Sequence, residues 1–295
     1  MIKEIMNQKK TVLITGAGGQ LGYELQRTAP QSINIIAADR KSLDISNVTS
    51  VNSFMQEHKP DAIINAAAYT AVDKAEEEQD IAAAINATGA SNLAQAAADH
   101  QIKLLQVSTD FVFPGDAYSP ISPDAHCKPQ GYYGQSKLDG ELAIQKILGD
   151  KAYIVRTAWL YSSHGNNFVK TMLRLMSDRE ELGVIADQIG TPTWAHGLAE
   201  SLWQALDVDA VGVHHWTDAG VASWYDFAQA IMEEGVDLGL LDKSIRLNPL
   251  TTADYPTPAS RPAYSVLDKT QTWEALGVSG EHWRVALRKM MNELT

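Results

Sequence analysis

The chain is expected to be an α/β protein, a doubly wound parallel sheet with helices on both faces, followed by a smaller mixed α/β lobe. Three observations carry that expectation. Short apolar, β-branched runs alternate with longer helical patterns over about the first 160 residues. Those runs are apolar almost throughout, as strands covered on both faces must be. A glycine-rich turn follows the first of them.

Taken in order, the strands are Thr11 to Thr15, Ile33 to Ala38, Ala62 to Asn65, Lys103 to Ser108 and Tyr153 to Thr157. Between them the spacing predicts helices at Leu21 to Thr28, Val48 to His58, Ile81 to Asp99 and Tyr133 to Leu148, each stopped by polar, Pro or Gly residues. Beyond Tyr161 the pattern is more mixed, with helices near Asn167 to Met176, Gly197 to Leu206, Trp224 to Glu234 and Glu281 to Leu294. Prolines 249, 256, 258 and 262 exclude a regular helix or an interior strand from Asn248 to Pro262. The expected division is a dinucleotide-binding domain over 1–160 and a mainly substrate-binding lobe over 161–295, with residues 166–177 packing back on the first.

Composition removes several function classes. With 24 Lys plus Arg against 36 Asp plus Glu, the net charge of −12 offers no footprint for a phosphate backbone, so no nucleic-acid partner is expected. A single cysteine, Cys127, can form neither an intramolecular disulfide nor a cysteine zinc site. Met1 to Lys10 lacks an apolar leader, and the uncharged stretch Ile81 to Ala98 carries Asn86, Thr88, Ser91, Asn92 and Gln95, which makes it an Ala-rich helix and no membrane span. A cytoplasmic protein without a membrane partner is expected.

The first strand runs into Gly16-Ala17-Gly18-Gly19-Gln20-Leu21-Gly22, with glycines at 16, 19 and 22. A diphosphate sits against a helix N-terminus because free backbone N–H groups point at it, and side chains at the glycine positions would block its approach. The confirming context is a strand before, a helix after and an acid about 20 residues on, here Asp39 after the second strand. This is a Rossmann-type arrangement. Asp39 favours the free ribose hydroxyl of NAD whereas its neighbour Arg40 suits a 2′-phosphate, so cofactor preference stays open here.

Tyr133 and Lys137 form a Tyr-x-x-x-Lys pair, which places both side chains on one helix face. A nearby ammonium favours phenolate, so the pair suits a proton donor and its tuner. Upstream, Ser108-Thr109-Asp110 ends a strand where ligands bind on such a sheet, and the Thr109 hydroxyl can polarise a carbonyl oxygen there. Without the glycine motif, Ser108 and Thr109 would read as turn caps and Tyr133 as surface packing.

These residues, in this order, resemble the extended short-chain dehydrogenase/reductases. Longer segments resemble one branch, the dTDP-4-dehydrorhamnose reductases: Asn65 to Glu76, Ser108 to Gly115, Tyr133 to Glu141, Arg156 to Tyr161, Gly165 to Met172, Asp187 to Thr193 and Pro256 to Pro262. The resemblance implies NADPH-dependent reduction, with NADH as the alternative cofactor, of the C4 keto group of a dTDP-sugar, giving dTDP-L-rhamnose for cell-surface polysaccharide. It implies Tyr133 as proton donor, Lys137 lowering its pKa and holding the nicotinamide ribose, and Thr109 hydrogen-bonded to the reacting oxygen. Cofactor contacts carry over to Gly16, Gly19, Gln20, Leu21, Gly22, Asp39, Asp44, Ile45, Ala68, Tyr69 and Thr70, and substrate contacts to Thr109, Asp110 and Trp159, whose aromatic face suits a sugar or base. Arg261 matches a diphosphate fork or an ion pair between the lobes, with nothing to choose between them.

Two positions depart from the branch: Phe111 stands where it often has Tyr, and His196 where some relatives have an acid for a metal-linked dimer. Mg2+ is allowed on the resemblance but not required, since Glu76-Glu77-Glu78 reads as a solvated helix face. His214 and His215, adjacent on a strand, point to opposite faces and cannot share an ion. The expected state is a monomer or homodimer. Two other readings remain on the resemblance: a nucleotide-sugar epimerase or dehydratase, and a non-catalytic subunit like the regulatory subunit of methionine adenosyltransferase.

Overall fold

Strands β1 (Lys10–Thr15), β2 (Ile33–Ala38) and β3 (Ala62–Asn65) alternate with helices α1 (Gln20–Arg27) and α2 (Val48–His58). The computed structural model describes residues 9–295; residues 1–8, most of the stretch read above for a leader, lie outside them. Helices α3 (Gln79–Ala83) and α4 (Gly89–His100) are joined by a π-turn over 84–88, where a single helix is expected. Strand β4 (Lys103–Thr109), helix α5 (Tyr132–Leu148) and strand β5 (Tyr153–Thr157) complete the predicted alternation.

The next elements are β6 (Leu160–Tyr161), α6 (Phe168–Asp178), β7 (Glu181–Ile185), β8 (Ile189–Gly190), β9 (Thr193–Trp194) and α7 (Ala195–Asp207). The chain ends with β10 (Gly212–His215), β11 (Ala222–Ser223), α8 (Trp224–Asp237), β12 (Arg246–Leu250), α9 (Thr270–Leu276) and α10 (Trp283–Asn292).

The main sheet has six parallel strands in the order β10-β5-β4-β3-β1-β2. The order reverses at β1, so a crevice opens between the carboxyl ends of β1 and β3, the place where such sheets bind ligands. Alternate strand residues serve the two faces. Val12, Ile14, Tyr153 and Val155 meet Leu25, Leu202 and Trp203 of α1 and α7, while Leu13, Ile63 and Ile154 meet Met55, Leu93 and Ile144 of α2, α4 and α5.

The residues after 161 divide between two cores. Helix α6, the segment expected to pack back on the sheet, instead joins α8 and α10 in a separate core around Val169, Phe227, Ile231 and Leu287. The part that does fold back is α7 with β10, which supplies Leu198 and Leu202 to the sheet face and a sixth strand at its edge. Pro249 lies in β12, which pairs only with β7, so the missing N–H interrupts no interior ladder. On β10 the two histidines face opposite ways, His214 stacked on Tyr153 and His215 edge-on to Phe113. Among the described residues no helix is long and apolar enough to cross a membrane.

Arg156 of β5 and Glu141 of α5 form a buried pair, with Nη2 and Nε both donating to the carboxylate at 2.7 to 3.2 Å. Removing one partner strands the other charge in the interior. Arg156→Met is therefore expected to lower stability by about 3–5 kcal/mol, read as a drop in the urea midpoint with an unchanged slope.

Candidate active site

The turn after β1 can close only with glycines at its ends. Gly16 has a φ of +69°, and a Cβ there would lie 2.6 Å from the Ala67 nitrogen and 2.7 Å from the Ala66 oxygen. A Cβ on Gly22 would collide with the Gly16 carbonyl, so α1 starts as close to β1 as backbone permits. Gly18 is different: a Cβ there would touch nothing, so the protein's own packing does not demand glycine, and a group drawn close to the backbone would.

Two adjoining clefts of about 450 Å³ each open from this turn. The first is lined by Gly16, Gly19, Asp39, Arg40, Asp44, Ile45, Ala68, Tyr69 and Thr70. The second shares Gly19, Ala68 and Thr70 and continues past Gln20 and Leu21 to Thr109, Asp110, Tyr133, Lys137 and Trp159. Of the residues expected at the site, Gly22 alone lines neither; its place is structural.

Asp39 accepts hydrogen bonds from the Lys41 and Ser42 nitrogens at 2.9 and 3.0 Å, and the Ser42 N–H and hydroxyl hold its carboxyl below the usual range. It is a fixed acceptor at the rim of the first cleft. Beneath the turn a buried ladder crosses three strands. Thr15 Oγ1 donates to Asn65 Oδ1 at 2.6 Å, and Asn65 Nδ2 donates to Gln106 Oε1 at 2.7 Å.

Helix α5 carries Tyr133 and Lys137 and is seated by Glu76 and Asn86. Glu76 Oε1 accepts from the Tyr132 nitrogen at 2.8 Å, taking up a free N–H of the first turn. In the π-turn, Asn86 Nδ2 donates to Ser136 Oγ at 3.0 Å and its Oδ1 accepts from the Tyr69 nitrogen at 2.9 Å. A regular helix would rotate Asn86 away from these partners, and π-turns recur at functional sites. Gly140 lets the two helices meet, since a Cβ there would strike the Asn86 carbonyl.

At the centre, Tyr133 lies beside Thr109 and edge-on to Phe111, with ring centroids 5.5 Å apart. Burial pushes the phenol up to about 12, partly offset by the Thr109 hydroxyl. Lys137 is not among the groups that lower it. Its Nζ donates to the Val107 carbonyl at 2.7 Å, and burial brings the ammonium down to about 8. Burial is the dominant influence on the tyrosine here.

Three residues that line the second cleft each carry a buried oxygen without a hydrogen-bond partner, Ser108 Oγ, Asp110 Oδ2 and Thr157 Oγ1. Such orphaned groups cost stability unless a ligand supplies the partner. Asp110 is also pushed up to about 6 by burial, against the Ser265 and Thr109 hydroxyls. The trough of backbone at one end, the acceptor at its rim and the orphaned oxygens at the other fit an elongated dinucleotide with a polar second ligand.

Over residues 10–295 the chain matches the family model described as RmlD substrate binding domain. The chain belongs to this family. A dTDP-4-dehydrorhamnose reductase of Aggregatibacter actinomycetemcomitans is 43% identical over 287 residues, 95% of this chain and 97% of the relative. The crystal structure of a dTDP-4-dehydrorhamnose reductase from Clostridium acetobutylicum ATCC 824 superposes with a TM-score of 0.90 at 43% identity, covering 96% of this chain and 99% of that one. Another, from Bacillus anthracis str. Ames in complex with NADP, gives 0.91 at 38% identity, covering 97% and 99%.

Several residues of this RmlD-family chain act differently from their sequence reading. Glu76 and Glu78 do not form a purely solvated face, because Glu76 seats α5 and Glu78 accepts from the Tyr69 hydroxyl. Arg261, by contrast, takes one of its two expected roles, an ion pair: it grips Asp73 with two prongs at 2.8 and 2.9 Å and ties the proline-rich segment to the loop after β3. His196 is held by Glu200 and Glu24, which raise it to about 9. Among the described residues no group of three or more His, Cys, Asp or Glu is arranged to hold a metal. Asn86, Ser108, Ser136 and Thr157 join the expected residues at the site; Ser108 was visible at the strand end and Asn86 as an amide inside an alanine-rich helix.

The raised carboxyl of Asp110 predicts a pH effect. Its contribution to stability is complete below the unfolded value of 3.8 and is lost as pH rises through about 6. Asp110→Asn keeps the acceptor for Thr109 but cannot ionise. Its stability relative to wild type should rise by on the order of 3 kcal/mol between pH 4 and 7.5. Parallel pH profiles of the urea midpoints would contradict this.

Proposed function

We propose that this chain reduces the C4 keto group of dTDP-4-dehydro-L-rhamnose to the alcohol of dTDP-L-rhamnose, with NADPH as reductant. The observation that carries the reading is the placing of a buried tyrosine hydroxyl beside Thr109 in a cleft continuous with the glycine turn. Its likeness to full-length relatives of that name supports it.

Gly16, Gly18, Gly19 and Gln20 would hold the diphosphate, Asp39 and Arg40 the adenosine ribose and its 2′-phosphate, and Lys137 the nicotinamide ribose. Bound there, NADPH supplies the hydride. Thr109 donates to the carbonyl oxygen and polarises it. Tyr133 gives its proton to the same oxygen as negative charge develops, which a phenol protonated at neutral pH can do. Asp110 and Trp159 border the sugar, and the walls keep bulk water from the reacting carbon. The reaction calls on no membrane or nucleic-acid partner and belongs in the cytoplasm, in a monomer or homodimer.

The test is loss of reduced-nicotinamide absorbance when purified protein meets dTDP-4-dehydro-L-rhamnose. Tyr133→Phe should lower kcat by roughly 10²- to 10⁴-fold while NADPH binding holds. Full activity in that variant would remove Tyr133 from its role. Arg40→Ala should raise KM for NADPH about tenfold and leave KM for NADH unchanged, because only the former offers a 2′-phosphate to the guanidinium.

A further inference from the structure

Trp159 borders the second cleft in a backbone conformation that a residue with a side chain rarely adopts, φ +49°. Its backbone is held there by the Thr193 nitrogen, which donates to the Trp159 oxygen at 3.1 Å. Its ring is held as firmly. Trp224 stacks on it with centroids 3.6 Å apart and planes 10° from parallel. A Cβ on Gly190 would lie 2.6 to 2.8 Å from three contiguous ring atoms, Cε2, Cζ2 and Nε1. Near-equal distances to those three atoms put Gly190 against the ring plane, so only a residue without a side chain fits.

Both holders come from one small unit. Strands β8 and β11 pair antiparallel with Gly190 opposite Ala222, two residues before Trp224. A capping box, with Ser223 and Asp226 bonding each other's backbone nitrogens, fixes the start of α8 and with it Trp224. Phe168 of α6 packs on the far side of Trp224, with centroids 4.7 Å apart. Trp224 and Gly190 both lie against its ring, which leaves the edge of the indole for a ligand in the cleft that Trp159 lines.

We propose that Trp224 and Gly190 are positioning residues for the sugar nucleotide. They clamp the strained Trp159 so that its indole edge, not its face, meets the substrate. The proposal rests on the reductase reading above. It assigns the clamp no part in the hydride or proton step, so its loss should appear in KM and not in kcat.

The experiment compares wild type, Trp224→Leu, Trp224→Phe and Gly190→Ala in the full chain. Gly190 has an ordinary backbone conformation, so alanine there disturbs little beyond the Trp159 ring. Trp224→Leu and Gly190→Ala should raise KM for dTDP-4-dehydro-L-rhamnose about tenfold, with kcat and the KM for NADPH near wild type, and Trp224→Phe should restore most of the loss. An unchanged sugar KM in both variants overturns the clamp. So does a fall in kcat and the thermal midpoint together with a rise in both KM values, which would make Trp224 a core residue only. A wild type that does not turn over the sugar defeats the reductase reading instead. The clamp is then decided by calorimetric binding of dTDP-L-rhamnose: weaker binding in Trp224→Leu and Gly190→Ala supports it, and equal or absent binding in all four proteins overturns it.

Discussion

The closeness of β1, the segment after β3 and the first turn of α1 constrains everything at the site. Gly16 turns the chain in a left-handed conformation against the Ala66–Ala67 backbone, and Gly22 brings α1 onto the Gly16 carbonyl. That approach needs the strand ends beneath to stay in register. The Thr15, Asn65 and Gln106 side chains, level with one another on three parallel strands, provide this through buried hydrogen bonds. A polar ladder of this kind is stabilising only when every member is satisfied, so it also fixes which residues can lie next to one another at the carboxyl edge.

The other half of the site is built around α5. Its start is anchored by a carboxylate 56 residues away in sequence, Glu76, and its middle by an amide that a π-turn rotates into reach. Tyr133 and Lys137 thus inherit their places from contacts that carry no chemistry themselves. Burial is the common cost. It raises Tyr133 and Asp110 and lowers Lys137, leaving the cleft with less charge than its residues would carry in water.

Local signals in the sequence were enough for the first five strands, all of them with the boundaries found or within one residue. Periodicity and glycine spacing act over a few residues, so Gly16, Asp39, Thr109, Tyr133 and Lys137 were visible as a set. What stayed hidden depends on distant pairing. The strand that holds His214 and His215 was legible, but not its place as the sixth strand of the main sheet, which depends on β5 lying beside it. Helix α7 looks like part of the second lobe until Leu198 and Leu202 are seen against Val12 and Ile14. The roles of Glu76 and the Trp159 ring were equally out of view, and Arg261 was undecided between two roles, since each is settled by a partner that lies far along the chain.

The return of α7 and β10 to the sheet has a consequence for how the molecule comes into being. By residue 160 the ribosome has delivered the glycine turn, the threonine and the tyrosine–lysine pair, yet β5 still has an open edge and Val12, Ile14 and Leu25 await their cover. The chemically complete half is therefore not a self-sufficient folding unit. It must remain unfinished while about fifty more residues emerge, and the intervening helix α6 has its own core to wait for, since α8 and α10 follow later still.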